Sequence, residues 1–281
     1  METTTVAAGA PSPLRASTAR QLLNKVPEVT LYFWIIKILA TTVGETAADY
    51  LNETVGLGLS GTTLAASVVL AIGLLFQFGT KKYVPGIYWF AVVAISIVGT
   101  LITDTMVDSF GISLVTSTIG FAIALTATFG VWYRSERTLS IHTIVTSRRE
   151  GFYWLTVLFT FALGTATGDL LAEKVNIGYV ASAAVFGGAI AVVYLAHLRF
   201  GLKAIPAFWI AYVLTRPLGA SIGDYLSQEK PDGGLGLGTT GTSLIFLSTI
   251  LALVVFLTLT RRDATEVMRP DLVVEDDAIT A

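Results

Sequence analysis

Eight apolar stretches alternate with short polar connections along the chain, at about 30–51, 57–79, 86–107, 111–132, 152–172, 177–197, 206–227 and 236–260. A run of roughly 20 apolar residues matches the hydrocarbon core of a bilayer as a helix, so each stretch predicts one crossing. Strict alternation of apolar and polar positions is missing, which argues against a transmembrane barrel. The predicted fold is an all-α integral membrane protein of eight transmembrane helices. Residues 1–28 are rich in Thr, Ala, Ser and Pro and lack the apolar stretch of a secretory leader; they are expected to be a flexible cytoplasmic segment. Residues 261–281 form a polar tail that ends in the acidic cluster Glu275-Asp276-Asp277.

Composition agrees with this pattern. Charged residues make up 14% of the chain, where a soluble domain carries about 25%. Eighteen Lys and Arg against twenty Asp and Glu leave a net charge of −2, so no basic face for nucleic acid is expected. There is no cysteine, which removes disulfides, thiolate metal sites and cysteine nucleophiles together. The basic residues are unevenly distributed. Arg15, Arg20, Lys25, Lys81, Lys82, Arg134, Arg137, Arg148, Arg149, Arg199, Lys203, Arg261, Arg262 and Arg269 fall at alternate connections and the termini, against Lys174 and Lys230 on the other side. The excess of Lys and Arg on cytoplasmic loops predicts a bacterial inner-membrane protein with both termini in the cytoplasm. The opposite loops are short and carry Glu53, Asp108, Glu173, Glu229 and Asp232.

The chain also repeats itself. Trp34, Trp89, Trp154 and Trp209 each open an odd-numbered span. Ten residues later come Gly44, Gly99, Gly164 and Gly219; fifteen residues later come Asp49, Asp104, Asp169 and Asp224. Four residues beyond each aspartate lies Glu53, Asp108, Glu173 or Gln228. Each unit holds two spans, so every copy enters the membrane from the same side, unlike inverted transporter repeats. The expected organisation is a first pair of units over 29–133, a basic cytoplasmic loop over 134–150 and a second pair over 151–260, forming a pseudo-symmetric bundle. On this register the chain resembles a bacterial membrane-protein family of four tandem two-helix repeats, each with a characteristic tryptophan. That family has no assigned activity, so the resemblance implies the architecture and supplies no site residues.

Candidate chemistry follows the odd spans. Lys37, Thr41, Glu45, Asp49 and Glu53 are spaced four apart, as are Ser96, Thr100, Asp104 and Asp108, then Thr165, Asp169 and Glu173, then Arg216, Ala220, Asp224 and Gln228. Steps of four share a helix surface but drift about 40° per step, so the row stays inside only if the helix tilts or kinks. Each aspartate sits near the outer boundary, where it can line a site, remain a hydrated rim residue or cap a helix. Glu45, Lys37 and Arg216 lie deeper. A charge at a helix centre costs about 2.5–3.5 kcal/mol on insertion scales, so such groups face a cavity or a partner. A structural ion pair between Glu45 and Arg216 is one outcome. The other is an ion site formed by Glu45, Asp49, Asp104, Asp169 and Asp224 with the hydroxyls of Thr41, Thr100 and Thr165, tuned by Lys37 and Arg216.

Oxygen-only ligands suit hard ions such as Mg²⁺, Mn²⁺ or Ca²⁺, with the four aspartates as the metal ligands; His142 and His197 fall at the ends of spans or in loops. No organic cofactor is implied, and the expected partners are the bilayer, an inorganic cation and protons. The glycines and Pro217 are expected to let the odd helices open, the tryptophans to anchor at the cytoplasmic interface, and the even-span glycines such as Gly61, Gly120 and Gly188 to pack helices closely. The hydroxyl-rich segments 58–64 and 238–244 are expected to cap helix starts.

A secondary transporter working by cation–proton exchange is therefore the leading expectation, with an ion channel or a membrane sensor or scaffold as the alternative. An intramembrane aspartyl enzyme has less support. Gly168-Asp169 and Gly223-Asp224 supply only part of the Gly-x-Gly-Asp element, because Ala166 and Ser221 stand where its first glycine belongs.

Overall fold

The computed structural model describes residues 24–175 and 177–264. Among them lie eight long helices, α1 Leu31–Asp49, α2 Gly58–Gly79, α3 Pro85–Asp104, α4 Leu114–Glu136, α5 Ser147–Asp169, α6 Tyr179–Arg199, α7 Ala204–Ser227 and α8 Gly238–Thr260. Seven are long and apolar enough to cross a bilayer, the pattern of a multi-pass membrane protein. The exception is α1, whose 19 residues include Lys37, Glu45 and Asp49. It is enclosed by α3, α7 and α8, so its charges meet protein rather than lipid.

The four odd helices form a closed inner ring in the order α1, α3, α5, α7 and back to α1. Each even helix lies outside and packs on the odd helix that follows it: α2 on α3, α4 on α5, α6 on α7, and α8 on α1. The last helix therefore closes the ring on the first. Outer helices turn residues such as Leu64, Leu75, Ile123, Val192 and Leu251 outward, as lipid-facing surfaces require, while the inner helices supply most of the core.

Glycine makes the ring close-packed. A Cβ on Gly44 would collide with Ser96 on α3, one on Gly99 with Phe161 on α5, one on Gly164 with Arg216 on α7, and one on Gly219 with Thr41 on α1. These partners share one register position, seven residues after each repeat tryptophan. One contact thus recurs four times around the axis. The helices run unbroken through all four glycines and through Pro217. This corrects the expectation that they open there: Gly164 and Gly168 instead give the Pro217 ring and backbone room to nest against α5. The outer glycines differ as well. Beside Gly120, Gly188 and Gly241 there is open space, so they are not close-packing points within the chain, whereas Gly73 does pack closely: a Cβ there would collide with Phe90 on α3.

Opening occurs one turn later. After Asp49, Asp104 and Asp169 the helix widens into a π turn, marked by bonds from Val55 N–H to the Tyr50 carbonyl (2.9 Å), from Phe110 to Thr105 (3.1 Å) and from Val175 to Leu170 (3.1 Å). Single π turns of this kind are often found at functional sites. The fourth repeat has none, and α7 stays α-helical to Ser227.

Three starts are capped by side chains: Thr30 accepts from Phe33 N–H, Ser113 from Thr116 N–H and Thr146 from Arg149 N–H. The expected caps at 58–64 and 238–244 do not form; α2 and α8 begin at Gly58 and Gly238 with φ of 67° and 72° and no side-chain cap. In place of a cap, the Ser243 hydroxyl bonds Thr46 at 2.7 Å and ties α8 to α1.

Three of the four repeat tryptophans turn inward instead of anchoring at an interface, and Trp34 is half-buried. Trp89, Trp154 and Trp209 are buried and join the preceding residues Phe33, Tyr88, Tyr153 and Phe208 in a double aromatic layer. Each preceding ring meets the tryptophan of the next repeat: Phe33–Trp89 at 5.7 Å, Tyr88–Trp154 at 5.6 Å, Tyr153–Trp209 at 6.2 Å and Phe208–Trp34 at 5.7 Å.

Residues 24–28, expected to be flexible, are packed at this same end. Lys25 N–H bonds the Ile144 carbonyl, its ammonium bonds the Glu150 carboxylate at 2.7 Å, and Glu28 N–H bonds the Asp263 carbonyl. Residues 1–23, also expected to be flexible, and the polar tail beyond 264 lie outside the described residues.

Candidate functional site

At the end of the bundle opposite the aromatic layer, the inner helices surround one polar cavity of about 190 Å³. Asp49, Asp104, Asp169 and Asp224 all line it, one from each repeat, with Glu45 deeper and Asn52, Glu53, Asp108 and Gln228 at the rim. The π turns explain how the rim residues join. A turn closed by i→i+5 bonds holds more residues than an α turn, so a row with a four-residue step drifts less there, and Glu53 and Asp108 stay on the side of Asp49 and Asp104. Glu53 and Asp108 are exposed, the aspartates half-buried and Glu45 buried, which orders the cavity from mouth to floor.

The floor is Arg216. Its side chain rises from α7 to the axis and is fully buried. One guanidinium nitrogen donates to the Thr41 carbonyl at 2.5 Å, and another donates to Glu45 Oε2 at 2.7 Å, to Thr165 Oγ1 at 2.7 Å and to Thr100 Oγ1. Glu45, Thr100 and Thr165 occupy the same register position in the first three repeats, where the fourth carries Ala220. One arginine thus gathers the equivalent polar residues of the other three repeats onto the axis. A planar fork with several donors suits this task better than an ammonium would.

Below the floor lies Lys37, also fully buried. Its ammonium sits 3.9 Å from the centre of the Phe161 ring and 4.3 Å from that of Tyr212, with no hydrogen-bond partner. Cation–π attraction is strongest when desolvated, worth about 2 kcal/mol. Arg216 lies over the same Phe161 ring at 5.6 Å. The aromatic layer follows, and Tyr88 and Tyr153 bridge their hydroxyls at 2.5 Å within it.

The expected site therefore divides. Glu45 and the four aspartates share the cavity. Thr41, Thr100 and Thr165 do not line it: Thr100 and Thr165 hold Arg216, and the Thr41 hydroxyl bonds the Ile38 and Thr215 carbonyls. Lys37 is likewise separate. Among the described residues no three acidic or histidine side chains converge closely enough to hold one bare metal ion, so the aspartates ring a space instead of forming a ready-made coordination shell. The space is large enough for several waters. Asn52, Glu53, Asp108 and Tyr179 complete the wall; the four-residue step already pointed to Glu53 and Asp108, whereas nothing in the residue pattern marked Asn52 or Tyr179.

A family described as Repeat of Unknown Function (DUF347) matches four consecutive segments of the chain, residues 32–83, 87–138, 152–202 and 207–263. The chain belongs to this family. Each matched repeat contains one inner helix and the outer helix after it, yet that outer helix packs on the inner helix of the next repeat, so in the Repeat of Unknown Function the sequence unit and the packing unit are offset by one helix. No curated protein and no solved structure matches the chain.

Proposed function

We propose that the protein is a secondary transporter of the bacterial cytoplasmic membrane, with both termini on the cytoplasmic side, that exchanges a hard divalent cation of the Mg²⁺, Mn²⁺ or Ca²⁺ class for protons. The observation that carries this reading is the convergence of Glu45, Asp49, Asp104, Asp169 and Asp224, from all four repeats, on one cavity. Carboxylates crowded in a poorly solvated space either bind a cation or take up protons, which is the elementary coupling of an exchanger. The width of the cavity favours an ion that keeps part of its hydration shell, as Mg²⁺ does.

Arg216 supports a carrier over an open channel. It occupies the axis under the cavity, and the aromatic layer lies beneath it, so a path open at one end is closed at the other. Arg216 is also a built-in competitor, because a cation descending to Glu45 meets a carboxylate already paired at 2.7 Å. An aspartyl protease has less support: Asp169 and Asp224 share the cavity with five further carboxylates and do not form an isolated pair.

The test is flux into liposomes of purified protein, loaded with an indicator for divalent cations and given a pH gradient. Saturable, gradient-driven entry of one or more of Mg²⁺, Mn²⁺ and Ca²⁺ is expected. Asp104→Asn or Asp169→Asn should slow it by roughly tenfold or more, the effect of about 1.4 kcal/mol. Undiminished flux in all four single Asp→Asn variants overturns the carboxylate site, and unitary currents would replace the carrier with a channel.

A further inference from the structure

A second cavity, of about 550 Å³, lies at the opposite end of the molecule and has no part in the acidic site. Its walls come from Val29, Leu31 and Trp34 at the start of α1, from the 139–142 link, from the last turns of α6 and from the first turns of α7. Nearly all of the lining is aliphatic or aromatic. Trp34, the one repeat tryptophan that is not buried, forms part of the wall.

Basic residues flank these walls in the chain. His142 and His197 line the cavity. Arg199 follows His197 by two residues at the end of α6, and Lys203 directly precedes the lining residue Ala204; both basic side chains are exposed. Lys203 is also the N-cap residue of the 24-residue helix α7, whose first turn has no side-chain cap. At this start Ala204 and Ile205 have free N–H groups, Pro206 having none, and with the positive end of the helix dipole they favour phosphate. The acid closest in sequence to these walls, Glu28, is paired with His142 at 3.3 Å.

We propose that this cleft is a binding site for one anionic phospholipid, with an acyl chain between α1, α6 and α7 and its phosphate held by Arg199, Lys203 and the start of α7. The combination selects the ligand. An apolar cleft at the end of membrane helices takes a hydrocarbon chain, and exposed basic residues flanking it at that depth select an anionic headgroup. A bound chain would rest on Val29 and Leu31 and so brace the packed segment that precedes α1.

The experiment uses the full chain, stripped of lipid in a nonionic detergent, and follows its melting temperature on addition of phosphatidylglycerol, phosphatidylcholine or glycerol 3-phosphate. Binding to the native state raises stability by mass action. Phosphatidylglycerol should give a saturable rise larger than that of phosphatidylcholine, and glycerol 3-phosphate should give none. The exposed double variant Arg199→Gln with Lys203→Gln should reduce the phosphatidylglycerol response to that of phosphatidylcholine. Filling the cleft with Ala211→Leu should reduce both. Equal responses to the two lipids, a full response to glycerol 3-phosphate, or a double variant that keeps the phosphatidylglycerol response overturns the proposal. Because the readout is binding, it is independent of whether the acidic cavity transports anything.

Discussion

Arg216 and Glu45 face each other across the first and last repeats, Arg216 fully buried and Glu45 at the bottom of the polar cavity. Removing one partner of a buried pair leaves an uncompensated charge and costs about 3–5 kcal/mol. Arg216→Gln and Glu45→Gln are each expected to lower stability by that order, and the double variant to lie closer to wild type than either single one. Urea unfolding in detergent checks this, and strictly additive losses would rule the pairing out. The three deep charges were conspicuous in the sequence because insertion into lipid penalises them individually. Their partners were not. Arg216 reaches residues at a different register position on three other helices, and that contact depends on the ring closing, which no spacing within one span reveals. The threonines were misjudged for a related reason: a hydroxyl on an inner helix can face an ion or a neighbouring carbonyl, and only the helix rotation decides.

Each helix contact in the inner ring rests on a missing side chain. Gly44→Ala, Gly99→Ala and Gly219→Ala are expected to cost about 1–3 kcal/mol through overpacking. Gly120→Ala and Gly188→Ala, where a Cβ meets open space, should be neutral or slightly stabilising because Ala is about 0.5–1 kcal/mol better than Gly within a helix. Thermal melts of the two groups would separate them, and equal effects would contradict the ring geometry. The repeated glycine was visible in the sequence, but its role was not, since a glycine that loosens a helix and one that admits a neighbour are the same letter. The π turns were hidden likewise: the four-residue row signalled that something must counter the drift without saying what.

The link between the two halves carries its own signal. His142 has its pKa raised, first by its hydrogen bond to Glu28, with burial opposing. A raised folded-state value means that the contact stabilises below the ordinary value of 6.5 and fades as pH climbs through the shifted one. The melting difference between wild type and His142→Gln should therefore be largest near pH 6 and shrink towards pH 8. A constant difference would sink this assignment. Asp263 is also raised, mainly by burial and against its bond to Tyr83, so its contribution weakens in the same direction as pH rises.

For the molecule as a whole, the axis opens into a polar cavity at one end and is closed by Arg216 and the aromatic layer towards the other. The absence of cysteine makes this directly measurable. In sealed vesicles, Gln228→Cys should react with a membrane-impermeant thiol reagent from one side only, while Ser96→Cys, at a fully buried position, should react from neither. Rapid labelling of Ser96→Cys in the otherwise unaltered protein would contradict a closed axis. That four repeats enter from one side and surround an axis was legible from the Trp–Gly–Asp register and the direction of each unit. Which helices lie inside was partly legible, because the polar rows fall only on odd spans. The inward turn of the tryptophans was not, since an aromatic residue at a span end is equally at home at an interface.

Closure of the ring by α8 on α1 has a topological consequence. Glu28, before α1, and Asp263, just past α8, are hydrogen-bonded, Glu28 N–H to the Asp263 carbonyl at 2.9 Å, so the two ends of the helical bundle are neighbours in space. In packing terms the order of the four units is a circle, cut at one of its joints. A circular permutant that fuses these neighbours through a short linker and begins anew between α4 and α5 would place the same units in the same sequence around the axis. It should assemble into the same bundle, with the third unit now synthesised first.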